Sequence, residues 1–187
     1  MFTLEQPSMA LNSVEISWSK ILMWNTWEVD RAQTREHIVE WVATVAGGAP
    51  GGKLKNVVIN CHGLPGWVGI GQGFNATHLG LFRQWRGLVF KIWFVACRVA
   101  ETPTASVQAQ LNSQYSGFGT SDGHAFCSNL AQNANSHVYA STEVQRNRGG
   151  YSLGQMPTFE GLCYSYSPNG RITWSHRYSS DWQDNQE

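Results

Sequence analysis

Charge of either sign is scarce in this chain: Lys and Arg together number 13, Asp and Glu 13, and charged residues make up only 14% of 187. With zero formal net charge and no basic stripe, the chain lacks the electrostatic footprint of a nucleic-acid binder or of a protein that docks on an anionic membrane. Long hydrophobic runs are lacking too. No apolar stretch approaches the roughly 18 residues a spanning helix needs, and the N-terminus has no charged segment followed by an apolar one. The expectation is a soluble mature protein, cytoplasmic or delivered as an effector. Cysteine is sparse at four residues, too few for a disulfide-stapled scaffold, so reduced thiols are expected. No close Cys-x-x-Cys or His-x-x-x-His pair is present, which argues against zinc on Cys61, His62 and Cys97. The glycine-rich stretch 63–73 has neither a Walker Lys-Ser/Thr nor a helix-opening G-x-G-x-x-G, which argues against a phosphate cradle. No cofactor is implied.

What the chain does have is nine tryptophans and 42% hydrophobic residues, enough for one domain, 1–187, with a real core. So many tryptophans suit a sugar-binding surface, but Trp24, Trp41 and Trp93 lie in apolar or periodic segments and are read as core. Residues 20–25 form a short apolar run, expected to be the first buried strand. Between residues 30 and 46, Ile38, Trp41, Val42 and Val45 recur at helical spacing, and the Gly-Pro-rich 47–52 ends that helix. Residues 56–61 and 90–96 are Val-, Ile- and Phe-rich runs of the kind that a strand buried on both faces requires. Residues 76–88 are expected to be a helix or irregular crossover, and the polar stretch 101–121 a long exposed loop. Asp122 caps a helix carrying Phe126, Cys127, Leu130, Ala131 and Ala134, and His124 sits in its first turn. Residues 137–141 read as a further strand, 145–150 as a polar, basic loop, and 162–176 as a hairpin about Asn169-Gly170. The expected architecture is a three-layer α/β domain with a mainly parallel sheet and right-handed crossovers, its core over residues 20–143 and the C-terminal hairpin appended.

Two of the apolar runs end in reactive side chains: 56–61 leads into His62 and Gly63, and 90–96 into Cys97. If the two are neighbouring parallel strands, their carboxyl ends place an imidazole beside a thiol in the crevice where open α/β sheets bind ligands. A thiol reacts as its thiolate, and an adjacent imidazole either removes the proton or stabilises the anion. Gly63 has no Cβ, so its backbone can come close to a substrate and offer an N–H to a developing oxyanion, with the Cys97 N–H as second donor. Such a set suits attack on a carbonyl and hydrolysis of the resulting thioester. Cys61 alternates with His62 and is expected to face the core. Trp67 and Phe74, in the glycine-rich stretch, either contact substrate or partner or tuck that stretch down.

An apolar strand ending in His62-Gly63, followed by one ending in Ala96-Cys97, resembles the caspase-like clan of cysteine peptidases. This clan includes caspases, legumains, gingipains, separases and the self-processing cysteine protease domains of large bacterial toxins. Ala96-Cys97-Arg98 matches the centre of the caspase signature Gln-Ala-Cys-Arg-Gly, while Val95 and Val99 depart from its flanks. The resemblance spans residues 20–143 and implies a caspase-like sandwich, a His62 and Cys97 dyad, an oxyanion site at Gly63 and a polypeptide substrate. It also implies a P1 pocket built from the end of the first strand and the segment after the fourth, which places Asn25, Ser141, Thr142 and Glu143 there. Glu143 in that pocket would select a basic P1 residue. The small size points to a bacterial or toxin-associated protease. The alternatives are an inactive caspase-like scaffold that binds a protein partner, or an amidase or acyltransferase using the same dyad. Oligomeric state is left open by the sequence.

Overall fold

The computed structural model describes residues 1–179, apart from the side chain of Ser17. The chain opens with β1 (Phe2–Thr3) and β2 (Ser8–Ser13), a 3-10 segment Val14–Ser19, then β3 (Asn25–Val29), α1 (Arg35–Gly48) and β4 (Leu54–Asn60). Three short strands follow, β5 (His62–Leu64), β6 (Trp67–Gly69) and β7 (Phe74–Asn75), and a second 3-10 segment, Ala76–Trp85, leads to β8 (Val89–Val95). The second half carries α2 (Ala105–Gln114), α3 (Gly123–Ala134), β9 (His137–Ser141), β10 (Gln155–Met156), β11 (Gly161–Tyr166) and β12 (Ile172–Tyr178).

The fold is α/β about a seven-stranded sheet in the order β12-β11-β9-β8-β4-β2-β3. The five strands from β3 to β9 run parallel, while β11 and β12 are antiparallel. Side chains alternate across the sheet as the two-residue period requires. Met9, Leu11, Val57, Ile59, Ile92 and Phe94 point to one face, under α1, α3 and the segment Ala76–Trp85. Ala10, Val58, Trp93 and Val95 point to the other, under the β1 and β10 pair, Ile21, Met23 and Phe159. No residue of α1, α2 or α3 belongs to this second cluster, so that layer is strand and loop rather than helix. Each fully buried Val or Ile contributes about 1.5–3 kcal/mol relative to exposure.

Several expectations need correction. The first strand of the main sheet is β2, not residues 20–25; of these, 20–24 run irregularly over the second face and Asn25 opens β3, and the side-chain amide of buried Asn12 binds both Ile21 N–H and C=O at 2.9 Å. Side-chain hydrogen bonds there replace those a neighbouring strand would supply. The sheet therefore begins at Ser8, ahead of the expected core at 20–143, and the C-terminal hairpin continues it through β9 pairing with β11 rather than being appended. Segment 101–121 holds α2, capped by Thr104 Oγ1 accepting from Val107 N–H at 3.4 Å; Leu111 is its only buried residue, so no apolar stripe marks it. In α1 the buried face is Ile38, Val39, Val42 and Ala46, and Trp41 is 43% exposed. Trp24 is exposed as well, whereas Trp93 is buried, donates its indole N–H to Asn56 at 2.8 Å and stacks on Tyr139. Among the described residues no helix is long and apolar enough to cross a membrane.

Candidate active site

The parallel register of β4 and β8 pairs Asn60 with Val95, and Cys61 N–H donates to Val95 C=O at 3.3 Å. The paired register ends there, with His62 and Cys97 each two residues past the last pair. His62 there leaves the sheet for the hairpin of β5 and β6, where it pairs with Gly69, and its side chain is exposed. Gly63 is buried against the segment that follows β8: a Cβ on it would lie 2.5 Å from Cys97 O and 3.0 Å from Cys97 N. Any larger residue would force those two backbones apart, so glycine is required by close approach.

After Cys97 the chain turns sharply. Arg98 has φ 59°, a left-handed conformation that costs a non-glycine residue about 1 kcal/mol or more. The turn is held by Arg98 N–H donating to Glu143 C=O at 3.0 Å and by a two-pronged guanidinium contact with Glu101. The half-buried Cys97 sulfur accepts the Gln145 N–H at 3.3 Å. Burial pushes this thiol above its usual range; the Gln145 N–H pulls it down, the Glu160 carboxylate raises it and Arg98 lowers it.

Gln145 is itself clamped. Its amide nitrogen donates to Glu160 C=O at 2.9 Å and Glu143 C=O at 3.0 Å, and its oxygen accepts Glu160 N–H at 3.0 Å. Two residues on, Asn147 donates to Ser19 C=O at 2.9 Å and Asn60 Oδ1 at 3.0 Å, while Asn60 donates to Asn12 Oδ1 at 2.8 Å. A buried Asn inside an apolar strand must be hydrogen-bonded, so Asn60 carried a signal in the sequence that something polar crosses the strand end. Gln145 and Asn147 carried none.

Beside His62 lies a groove of about 510 Å³. His62, Gly63, Trp67, Tyr115 and Phe118 form one part of its lining, the Arg31 and Glu15 ion pair another, and Cys97 lies outside the lining.

The other residues assigned to a P1 pocket are placed elsewhere or engaged. Asn25 pairs with Met9, which pairs with Val57, so it sits at the amino end of edge strand β3, away from His62 and Cys97. The carboxyl end of the first strand is instead Ser13, two residues before Glu15 in the groove. Ser141 is fully buried, its hydroxyl donating to Glu160 C=O at 2.8 Å and accepting Glu143 N–H at 3.1 Å. Thr142 Oγ1 donates to Leu162 C=O. The Glu143 carboxylate is bound by Arg177 at 2.6 Å and by Leu162 N–H at 3.2 Å, which ties it to β11 and β12.

Cys61 is buried in the core, its thiol pushed up to about 12 mainly by loss of solvent. All four cysteines are free. Among the described residues no three His, Cys, Asp or Glu side chains are grouped to hold a metal ion. Asp122 caps α3 by accepting from His124 N–H at 2.8 Å, and His124 Nδ1 is 2.5 Å from Tyr166 Oη, so neither joins the site. Phe74 is buried, which makes it the residue that tucks the glycine-rich stretch down. Comparisons of the chain with protein-family models, with curated proteins and with solved structures return no match.

Proposed function

We propose that the chain is a cysteine endopeptidase of caspase-like type. The supporting observation is that Gly63, next to His62, lies against the Cys97 backbone, just past the ends of the paired strands β4 and β8. In this reading the imidazole of His62 takes the Cys97 thiol proton as the sulfur attacks the scissile carbonyl carbon, and the Gly63 and Cys97 N–H groups face the oxyanion. The C–N bond then breaks as the imidazole of His62 protonates the leaving amine. Water hydrolyses the thioester and returns the thiol. The strained Arg98 turn fits a nucleophile held out of the strand line, since strain of this kind is retained where surrounding contacts over-determine it. A bacterial or toxin-associated setting belongs to the same reading and rests on the motif resemblance.

One observation favours the scaffold alternative: the sulfur is half-buried and in contact with Gln145. Iodoacetamide labelling read by peptide mass spectrometry separates the two. The enzyme reading expects Cys97 to be modified far faster than Cys61, Cys127 and Cys163, with that advantage reduced in His62→Ala. Equally slow labelling of all four thiols supports the scaffold. Cleavage of an amide or ester substrate without cleavage of any peptide supports the amidase or acyltransferase alternative.

A further inference from the structure

We propose that the groove beside His62 is a specificity subsite for the leaving-group side of the substrate and takes an aromatic or bulky aliphatic side chain at the first position after the scissile bond. The proposal rests on the peptidase reading and extends it to which half of the peptide is selected, and by what.

The assignment follows from which groups line the groove. During the reaction the acyl half stays on the Cys97 sulfur, whereas the amine half departs over the imidazole that protonates it. His62 and Gly63 line the groove and Cys97 does not, while the sulfur contacts Gln145 of the loop after β9. Gly63, whose N–H faces the oxyanion, marks the scissile bond itself; from there the acyl half runs toward Gln145 and the amine half past His62 into the groove. Its volume, about 510 Å³, is in the range of pockets that enclose small ligands.

The chemistry of the occupant follows from the walls. Trp67 comes from β6, and Tyr115 and Phe118 from the end of α2 and the turn beyond it. The Phe118 ring lies 4.6 Å from Trp67 and 5.9 Å from Tyr115, and Tyr115 and Phe118 are 39% and 40% exposed. Three rings gathered beside a reactive side chain, two of them well exposed, form an apolar surface that an apolar side chain would cover. The surface is preset rather than loose. Gly69 leaves room for the Trp67 ring, which a Cβ there would meet at 2.6 Å, and Phe118 C=O accepts from Asn75 Nδ2 at 3.0 Å. At the other part of the lining the Arg31 and Glu15 charges neutralise each other, so no unpaired charge there selects a charged residue.

A peptide-library digest, with residues tallied on both sides of each cut, tests this with wild type, Tyr115→Ala and Phe118→Arg, each checked for an unchanged melting temperature. Wild type is expected to enrich Phe, Tyr, Trp and Leu at the first leaving-side position. Tyr115→Ala should reduce that enrichment by about tenfold in kcat/KM, the scale on which one apolar pocket contact discriminates. Phe118→Arg should redirect it toward Asp and Glu, with acyl-side preference unchanged in both. Cleavage without leaving-side preference, or with a preference that survives both substitutions, overturns the subsite while leaving the peptidase reading intact. If no peptide is cut under any condition, the peptidase reading fails and the subsite with it.

Discussion

Asn147 and Asn60, 87 residues apart, are joined by a 3.0 Å hydrogen bond that pins the loop holding Gln145 to the strand that delivers His62. Through Asn12 and Ser19 the same network reaches β2 and the segment after it, so the carboxyl ends of two strands and the loop over Cys97 are one polar assembly.

Removing one member should loosen that loop. Asn147→Ala frees the loop from Asn60 and Ser19, and faster alkylation of Cys97 is expected, with a stability loss of about 1–3 kcal/mol from the Asn60 amide oxygen and Gly149 N–H that lose their partner. Urea denaturation and timed iodoacetamide labelling measure both; an unchanged alkylation rate would show that the loop does not limit access.

Gly63→Ala should be the most damaging single-methyl change near the site. The new Cβ would press on Cys97 backbone atoms at 2.5 and 3.0 Å, which no rotamer relieves. Overpacking of this kind costs about 1–3 kcal/mol. A melting temperature equal to wild type, with cleavage retained, would show that the two backbones are farther apart than described.

Buried thiols set an alkaline limit on stability. Cys61, Cys97, Cys127 and Cys163 all have thiols raised by burial, Cys61 to about 12. Between the ordinary thiol value of 9.0 and these raised ones, the unfolded chain has lost protons that the folded chain keeps. Stability therefore falls as pH rises through that window, with Cys61 contributing to the fall. Denaturant midpoints taken from pH 8 to 11 should decline, and the decline should lessen in Cys61→Ser relative to its own pH 8 value.

Glu143 is expected not to select the substrate. Its carboxylate is held by Arg177, which is 54% exposed, so Arg177→Ala should change stability by no more than about 1 kcal/mol. Glu143→Gln should leave the residue preferred on the acyl side unaltered in a peptide digest; loss of a basic preference would return Glu143 to the P1 pocket.

The parts of the fold legible in the sequence are those whose determinants are local. The apolar runs at β4 and β8, the Asp122 cap with its Phe126-to-Ala134 stripe, and the Asn169-Gly170 turn, closed by Ser167 N–H to Arg171 C=O at 2.9 Å, all declare themselves within a few residues. β2 does not. Ser8, Asn12 and Ser13 make it look polar, and Ser8 and Asn12 are buried there with partners on other segments, Asn56 for Ser8 and Ile21 and Asn60 for Asn12. The same limit applies to the site. His62, Gly63 and Cys97 follow from strand ends, but Asn25 lies elsewhere because the first strand of the main sheet is β2, and Ser141 and Glu143 are engaged by partners 19 to 34 residues downstream in the chain. Tyr115 and Phe118 reach the groove only because α2, a helix without an apolar stripe, carries them there.

The central claim is that the imidazole of His62 and the sulfur of Cys97 act together on one carbonyl. Its most direct test is peptide cleavage by wild type, His62→Ala, Cys97→Ala and the double variant. Each single substitution is expected to lower kcat by at least about 10²-fold, with the double variant no worse than Cys97→Ala. Cleavage retained by Cys97→Ala, or losses that multiply in the double variant, would contradict it.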